Sequence, residues 1–543
     1  RQSLRPHATE RARLYSWRRV ADRTQEAWAD AIARKANRVS IDVIARRPRL
    51  AIVSPLHPER SGVANFVTDL LPFLAEHFQI DLFASSDVDS ERYRAMGFGV
   101  HPWQALPGMY VDYDAGVVYQ FGNSQFHVPM VALIGLCPGV AFVHDAFLSG
   151  LMAHLEFGPP RIAGIFEKML LYCTSESVVA DYRNGGLEAT VNQHPLCRWV
   201  ADHASGVIVT SEHARALLTG AGQVRSARCR VTNLQRSVRQ ISDEEKRSAR
   251  EALGIAQSAV LVCSLGYMND RKLSVELVDA WNCRDPQISA RLVLVGEAEA
   301  GYGKVLREKI ESSIRSPEVQ MSGYVSEEDF ERYLRPADIA VQLRAGSRGE
   351  TSGAALYAMA SGVPLVASRH GSFAEIPDDA CIHVDHPLNV EELAAVLDDL
   401  IVDSEKRSTI GRRGYEWIRD TRDPATIAHA VASAVACFNH RAIVRRRSTL
   451  AERTAAFANR IGEAEREEWV RSVETRAFGV EPQRLGGDLA DSIARGLATI
   501  LTYSSNNATP VDVNETSAVV PSCAAPPQTP SNDDLSANVS SES

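Results

Sequence analysis

From residue 49 onward, short apolar runs alternate with stretches in which apolar residues recur every three or four positions. Residues 50–54, 79–84, 115–119, 140–143 and 207–210 are rich in Val and Ile and lack polar alternation, which predicts strands buried on both faces. Between the first two lie Val63, Phe66, Val67, Leu70, Leu71 and Leu74, an apolar stripe at helical spacing. Strand, amphipathic helix and strand in repeated order predict a parallel sheet with helices on both faces.

A second series follows the polar stretch 230–250, which reads as an interdomain connection leading into a helix. Its strands are predicted at 260–263, 292–295, 319–322, 339–343 and 365–367. The expectation is an α/β chain of two Rossmann-like, doubly wound domains facing across a cleft, with ligands at the carboxyl ends of the strands. The C-terminal part differs. Residues 441–503 are patterned as a charged helical extension, whereas 504–543 hold no Lys, Arg or aromatic residue and are dense in Ser, Asn, Thr and Pro. Such a segment buries too little apolar surface to offset chain entropy, so a disordered tail is expected there.

Composition narrows the function classes. The 543 residues suffice for two or three domains. A net charge of -9 argues against nucleic acid as the main partner, because a phosphate-tracking surface shows as basic excess. The apolar stretch 128–143 contains Pro138 and Gly139 and falls short of the roughly 20 residues that span a bilayer. The opening residues lack the charged-then-apolar order of a signal peptide. Nine cysteines are scattered without a Cys-x-x-Cys pair, which fits reduced thiols in a cytoplasmic protein. The basic run Arg445-Arg446-Arg447 reads as a solvated helix face, with a peripheral contact at the inner face of a membrane as the other reading.

Candidate chemistry sits where strands end. After the first strand comes Ser54-Pro55-Leu56-His57-Pro58-Glu59-Arg60-Ser61-Gly62, a small-residue pair opening a helix whose amides can face an anion. Tyr119-Gln120-Phe121-Gly122-Asn123, with His127, precedes a second run, Val143-His144-Asp145. In the other series Gly266 closes a strand and Arg271-Lys272 follows, the lysine six residues after the glycine, a point charge on a loop at the carboxyl end of the strand. Further on stand Gly349-Glu350-Thr351-Ser352-Gly353 and Tyr357-Ala358-Met359-Ala360-Ser361-Gly362-Val363-Pro364.

These stretches together resemble family 4 glycosyltransferases, which are retaining enzymes of the GT-B fold, and in particular a bacterial polysaccharide or O-antigen branch. The matches are to "P..SGIA.Y", "YQ.GN...H", "PGV...HD", "fG.....K" and "E.......EAMA.G.P", with Gly323-Tyr324-Val325 and the Gly371 to Glu375 turn as weaker companions. The resemblance implies a cytoplasmic hexosyltransferase of mannosyl or glucosyl type. It would move sugar from a nucleotide-diphosphate donor to a glycan or lipid-linked glycan, without a metal or a tightly bound cofactor. It implies His144, Lys272 and Glu350 at the transferred sugar and its diphosphate. Gly62, Gly266, Arg271, Tyr324, Ser352, Gly353 and Tyr357 would bind the donor, and Asn123 and His127 would line the acceptor side. Two departures stand out: Tyr267 replaces the usual arginine beside the glycine, and Tyr357 replaces the second carboxylate, seven rather than eight residues after Glu350.

On this reading 48–235 form the acceptor-side domain, 236–422 the nucleotide-sugar domain and 423–440 a returning helix. Ser16-Trp17-Arg18-Arg19-Val20-Ala21 resembles the closing helix of another such unit, so 1–47 read either as the end of an upstream transferase or as an ordinary amphipathic helix. A catalytically weakened module acting as a scaffold is the rival from another class, with Tyr267 and Tyr357 in its favour. A NAD-binding enzyme is disfavoured because neither series shows G-x-G-x-x-G after its first strand.

Overall fold

The computed structural model describes residues 47–439 except 159, 160 and 326. The expectations for residues 1–46, for the basic run at 445–447, for the helical extension and for the tail lie outside the described residues.

The first sheet comprises β1 (Arg49–Val53), β2 (Gln79–Ala84), β3 (Gly99–Pro102), β4 (Val117–Phe121), β5 (Val140–Val143), β6 (Gly206–Val209) and β7 (Cys229–Val231), in the order β3-β2-β1-β4-β5-β6-β7. The second comprises β8 (Val260–Leu265), β9 (Ala290–Val295), β10 (Val319–Met321), β11 (Ile339–Gln342), β12 (Leu365–Ser368) and β13 (Ile382–Val384), in the order β10-β9-β8-β11-β12-β13. Every pairing is parallel. Both orders reverse direction beside the first strand, so each sheet has a switch point where loops from neighbouring strands diverge and a ligand can enter. The expected pair of Rossmann-like sheets is therefore present. Strands β3, β7 and β13 escaped the sequence pattern, and β7 begins within one residue of the stretch read as connection. They are three or four residues long and lie at sheet edges, where partial exposure removes the continuous apolar run that marks a central strand.

Four helices position the site. Helix α1 (Gly62–Leu74) begins at Ser61, whose hydroxyl accepts the Val63 N–H at 3.2 Å, and it buries Phe66, Val67, Leu70, Leu71 and Leu74 against the first sheet. Helix α2 (Glu212–Gly220) follows β6, and α3 (Gly353–Ala360) follows β11. Helix α4 (424–439) packs Ile427, Val431, Val435 and Phe438 into the first core. A Cβ at Gly206 would lie 2.2 Å from the Phe438 ring, so the start of β6 requires glycine for this docking. Full burial of one such aromatic is worth about 2 to 3 kcal/mol.

The chain crosses between the sheets twice, and the crossings are tied together. Arg236 N–H donates to the Arg422 carbonyl at 2.8 Å, and Gln235 Nε2 donates to the Phe66 carbonyl in α1 at 2.7 Å. On the facing loops, Thr210 and Thr351 hydroxyls meet at 2.9 Å and Phe147 N–H donates to the Arg348 carbonyl at 3.2 Å. Among the described residues no helix is long and apolar enough to cross a membrane.

Candidate functional site

Loops after β4 and β5 supply one wall. His144 follows β5, its ring stacked on Phe142 at 4.8 Å and set edge-on to Phe66 of α1 at 4.7 Å. Its Nε2 lies 2.8 Å from the Gln120 amide oxygen, which can only accept, so the proton sits on Nε2 and Nδ1 remains an acceptor. Burial, and then the charge of His127, holds the His144 pKa down at about 3, so the ring is neutral. His127 is fully buried, Nδ1 donating to the Gln120 carbonyl at 2.8 Å, and burial lowers it to about 4. It props the end of β4 from behind: a Cβ on Gly122 would lie 2.7 Å from its Nε2. Asn123 is spent locally as well, its Oδ1 accepting the Leu151 N–H at 2.9 Å and its own N–H donating to Asp145 Oδ2 at 3.1 Å.

The second sheet supplies the opposing wall. Gly266 follows β8 with φ of +121°, a region closed to other residues, and Lys272 Nζ would be 3.9 Å from a Cβ placed there. Lys272 ends the short turn Asp270–Lys272. Its ammonium is held well below the ordinary lysine pKa, first by burial and then by the charge of Arg344, with Glu350 opposing. Arg271 turns to Glu350, Nη2 to Oε1 being 3.6 Å. The other Glu350 oxygen accepts the Arg348 N–H at 2.6 Å, and the Ser372 hydroxyl holds the Glu350 carbonyl at 2.8 Å. Ser352 and Gly353 open α3, the serine hydroxyl capping the Ala355 N–H.

The two walls meet at Asp145, a group the sequence pattern singled out only as a neighbour of His144. Burial raises its carboxyl pKa to about 6, the nearby Glu350 charge adds to that, and Arg348 and Arg271 pull the other way. His144, Asp145, Arg271, Lys272 and Glu350 therefore belong to one constellation across the facing loops. Gly62 lies one helical turn before Phe66, which touches His144. Just ahead of it, the Arg60 guanidinium sits 4.3 Å from the ring of Tyr324, an exposed residue of the second sheet's loops. Tyr357 is set apart. Arg236 covers its ring at 3.4 Å, Phe330 meets it edge-on at 5.9 Å, and it lines a cavity of 1160 Å³ beside the two chain crossings whose wall does not include His144, Lys272 or Glu350.

Arg344 was not legible as a site residue. It leaves the end of β11 with its side chain buried, and its Nη2 reaches Ser352 Oγ at 3.4 Å. Burial lowers its pKa to about 10, with Glu350 opposing and Arg271 adding to the fall. Glu375, in the turn Gly371–Glu375, faces the first sheet's loops and accepts the N–H groups of Glu212 and His213.

Two facing Rossmann-like parallel sheets followed by a returning helix are the GT-B fold. Residues 245–417 match the family model described as glycosyl transferases group 1. Mannosylfructose-phosphate synthase of Agrobacterium fabrum is 32% identical over 139 residues, which are 24% of this chain and 30% of that protein, so the match spans under a third of the relative's length. Among solved structures, HepE of Anabaena in complex with UDP-glucose superposes with a TM-score of 0.53 at 17% identity, over 72% of this chain and 100% of that one. Sucrose-phosphate synthase of Thermosynechococcus elongatus gives 0.50 at 16% identity, over 71% and 98%. A glycosyltransferase of Rickettsia africae gives 0.53 at 12%, over 73% and 99%. At these identities the structural likeness speaks for the fold.

Proposed function

We propose that this chain is a retaining glycosyltransferase that moves a hexosyl group from a nucleotide-diphosphate sugar to a glycan or lipid-linked glycan in polysaccharide assembly. The observation that carries the reading is the meeting of Asp145, the residue after His144, with Glu350 and Arg271 of the opposite wall, where Glu350 also acts on Lys272. Residues 236–422 hold the donor and 48–235 the acceptor. The acceptor is met at the inner face of a membrane when it is lipid-linked.

In this mechanism the donor diphosphate leaves toward Lys272 and the first amides of α3 at Ser352 and Gly353, and its departing oxygen takes the proton of the attacking hydroxyl on the same face. Glu350 accepts hydrogen bonds from the transferred sugar. Neutral His144, its Nε2–H committed to Gln120, offers Nδ1 to a sugar hydroxyl. Tyr324 stacks on the base, with Arg60 closing over it, and Tyr357 contacts the ribose end. Gly62 and Gly266 keep the loops close to the donor, and Asn123 and His127 shape the acceptor wall. The likeness to HepE, solved in complex with UDP-glucose, makes UDP-hexoses the first donors to try.

The test is a donor screen with UDP-, GDP- and dTDP-sugars, monitored by nucleotide release with and without glycan acceptors. One donor should be released far faster than the others and depend on Lys272. A folded chain that binds donors yet releases no nucleotide from any of them favours the scaffold reading instead.

A further inference from the structure

We infer that Arg344 is a second cation for the donor diphosphate, standing in for the arginine that the resembled pattern puts beside Gly266. The inference rests on the donor-site reading of Lys272 and Glu350. Tyr267, which occupies the arginine's position, is 52% exposed and brings a phenol that can donate one hydrogen bond but no positive charge. Arg271, the obvious substitute, is committed to Glu350 and leans toward the Gly346 carbonyl at 3.5 Å.

Arg344 is better placed. Its backbone N–H is pinned by Ser368 Oγ at 3.0 Å, Nη1 donates to the Leu343 carbonyl at 2.8 Å, and the guanidinium lies 5.4 Å from the Phe373 ring centroid. These contacts hold the fork at Ser352, the cap of α3, where the first-turn amides of the helix lack intrahelical partners. A rigid planar guanidinium beside a helix N-terminus is matched to paired phosphate oxygens.

The charge pattern around this placement agrees with it. Arg344 is buried and Lys272 half-buried, the two charges repel each other, and Glu350 is the carboxylate that offsets both. Asp145 adds a carboxylate beside Arg271 and Arg348, but burial disfavours its own charge. Desolvating like charges with too few counter-charges is costly, and a dianion between them relieves it. A diphosphate spreads its charge over two phosphoryl groups that can meet both cations at once, whereas a monophosphate, itself close to a dianion near pH 7, reaches only one, so this cluster selects diphosphate-linked donors.

Titration of the full chain with UDP, UMP and inorganic pyrophosphate tests this, pyrophosphate being independent of the base. Arg344→Gln should weaken UDP and pyrophosphate by roughly ten- to a hundredfold and UMP much less, and Arg344→Lys should recover part of the loss. If Arg344→Gln does not fold, the lysine variant carries the test, because it keeps the charge and loses the fork. Unchanged pyrophosphate affinity in both Arg344 variants, alongside its loss in Lys272→Ala, would overturn the role of Arg344 alone. Unchanged affinity in Lys272→Ala as well, or a wild-type chain that binds neither UDP nor pyrophosphate, would overturn the donor-site reading beneath it.

Discussion

The carboxylate of Glu375 accepts the backbone N–H of His213 at 2.7 Å and so caps, from the second sheet's loops, a helix that belongs to the first. Ser211 already caps that helix through Ala214 N–H, and the added carboxylate faces two further first-turn amides, where negative charge complements the helix dipole. The contact exists only while the two sets of loops are together. Glu375→Ala should therefore lower turnover a few-fold with little change in unfolding temperature, and Glu375→Gln, which keeps an acceptor, should lie between. Steady-state rates at saturating donor decide it, and an alanine variant as fast as the parent would show that the cap plays no part in closure.

Lys272→Ala should cut turnover roughly a hundredfold to a thousandfold, or about 3 to 4 kcal/mol of barrier. The fold should tolerate the change: burial and Arg344 already disfavour the lysine's charge, so its removal relieves repulsion as well as costing contacts. Nucleotide release at saturating donor, read beside a melting curve, checks both halves. Full activity in the variant would take Lys272 out of the mechanism.

What the sequence disclosed and what it withheld divide along a physical line. Strand β1 and the stripe from Val63 to Leu74 were legible because complete burial forces an uninterrupted apolar run and a helical period. The spacing of Lys272 after Gly266 was legible because both belong to one loop. Asp145 and Arg344 were not. Asp145 matters through Glu350, some two hundred residues away in the chain, and Arg344 looks like an ordinary surface arginine until β11 buries it against Ser352 and Phe373. The importance of such residues lies in a juxtaposition that only the folded sheets create.

Stability should fall on the acid side. His127 and His144 have folded pKa values near 4 and 3, below the ordinary 6.5, so their contribution is complete above 6.5 and is lost as pH falls toward those values. Between pH 7 and pH 5 the unfolded chain gains protons that the folded chain refuses, at about 2 kcal/mol for each ring. Asp145, raised to about 6, has the opposite sign: its contribution is present below the ordinary carboxylate range and is lost as pH rises toward 6. Denaturant melts at both pH values should show the net loss, and His127→Gln should remove about half of the histidine part. An identical pH dependence in that variant would mean that His127 is not held neutral.

Tyr357 gives the sharpest test of how far the donor reaches. Its ring is sandwiched between the Arg236 guanidinium and the edge of Phe330, next to both chain crossings, so it serves packing at the hinge whatever else it does. Such contacts are worth about 1 to 2 kcal/mol. If the ribose also reaches this point, the hydroxyl supplies one hydrogen bond, worth about 1 kcal/mol. Tyr357→Phe keeps the ring and the stacking, so it should lower the unfolding temperature less than Tyr357→Ala does and raise donor KM roughly fivefold with kcat preserved. Tyr357→Glu restores a carboxylate that can accept from both ribose hydroxyls, but places it under Arg236, which will pair with it. Its expected signature is an altered order of donor preference across UDP-, GDP- and dTDP-sugars. A phenylalanine variant with unchanged donor KM, together with a glutamate variant that loses stability but keeps the parental donor order, would confine Tyr357 to the hinge and end the nucleotide site short of it.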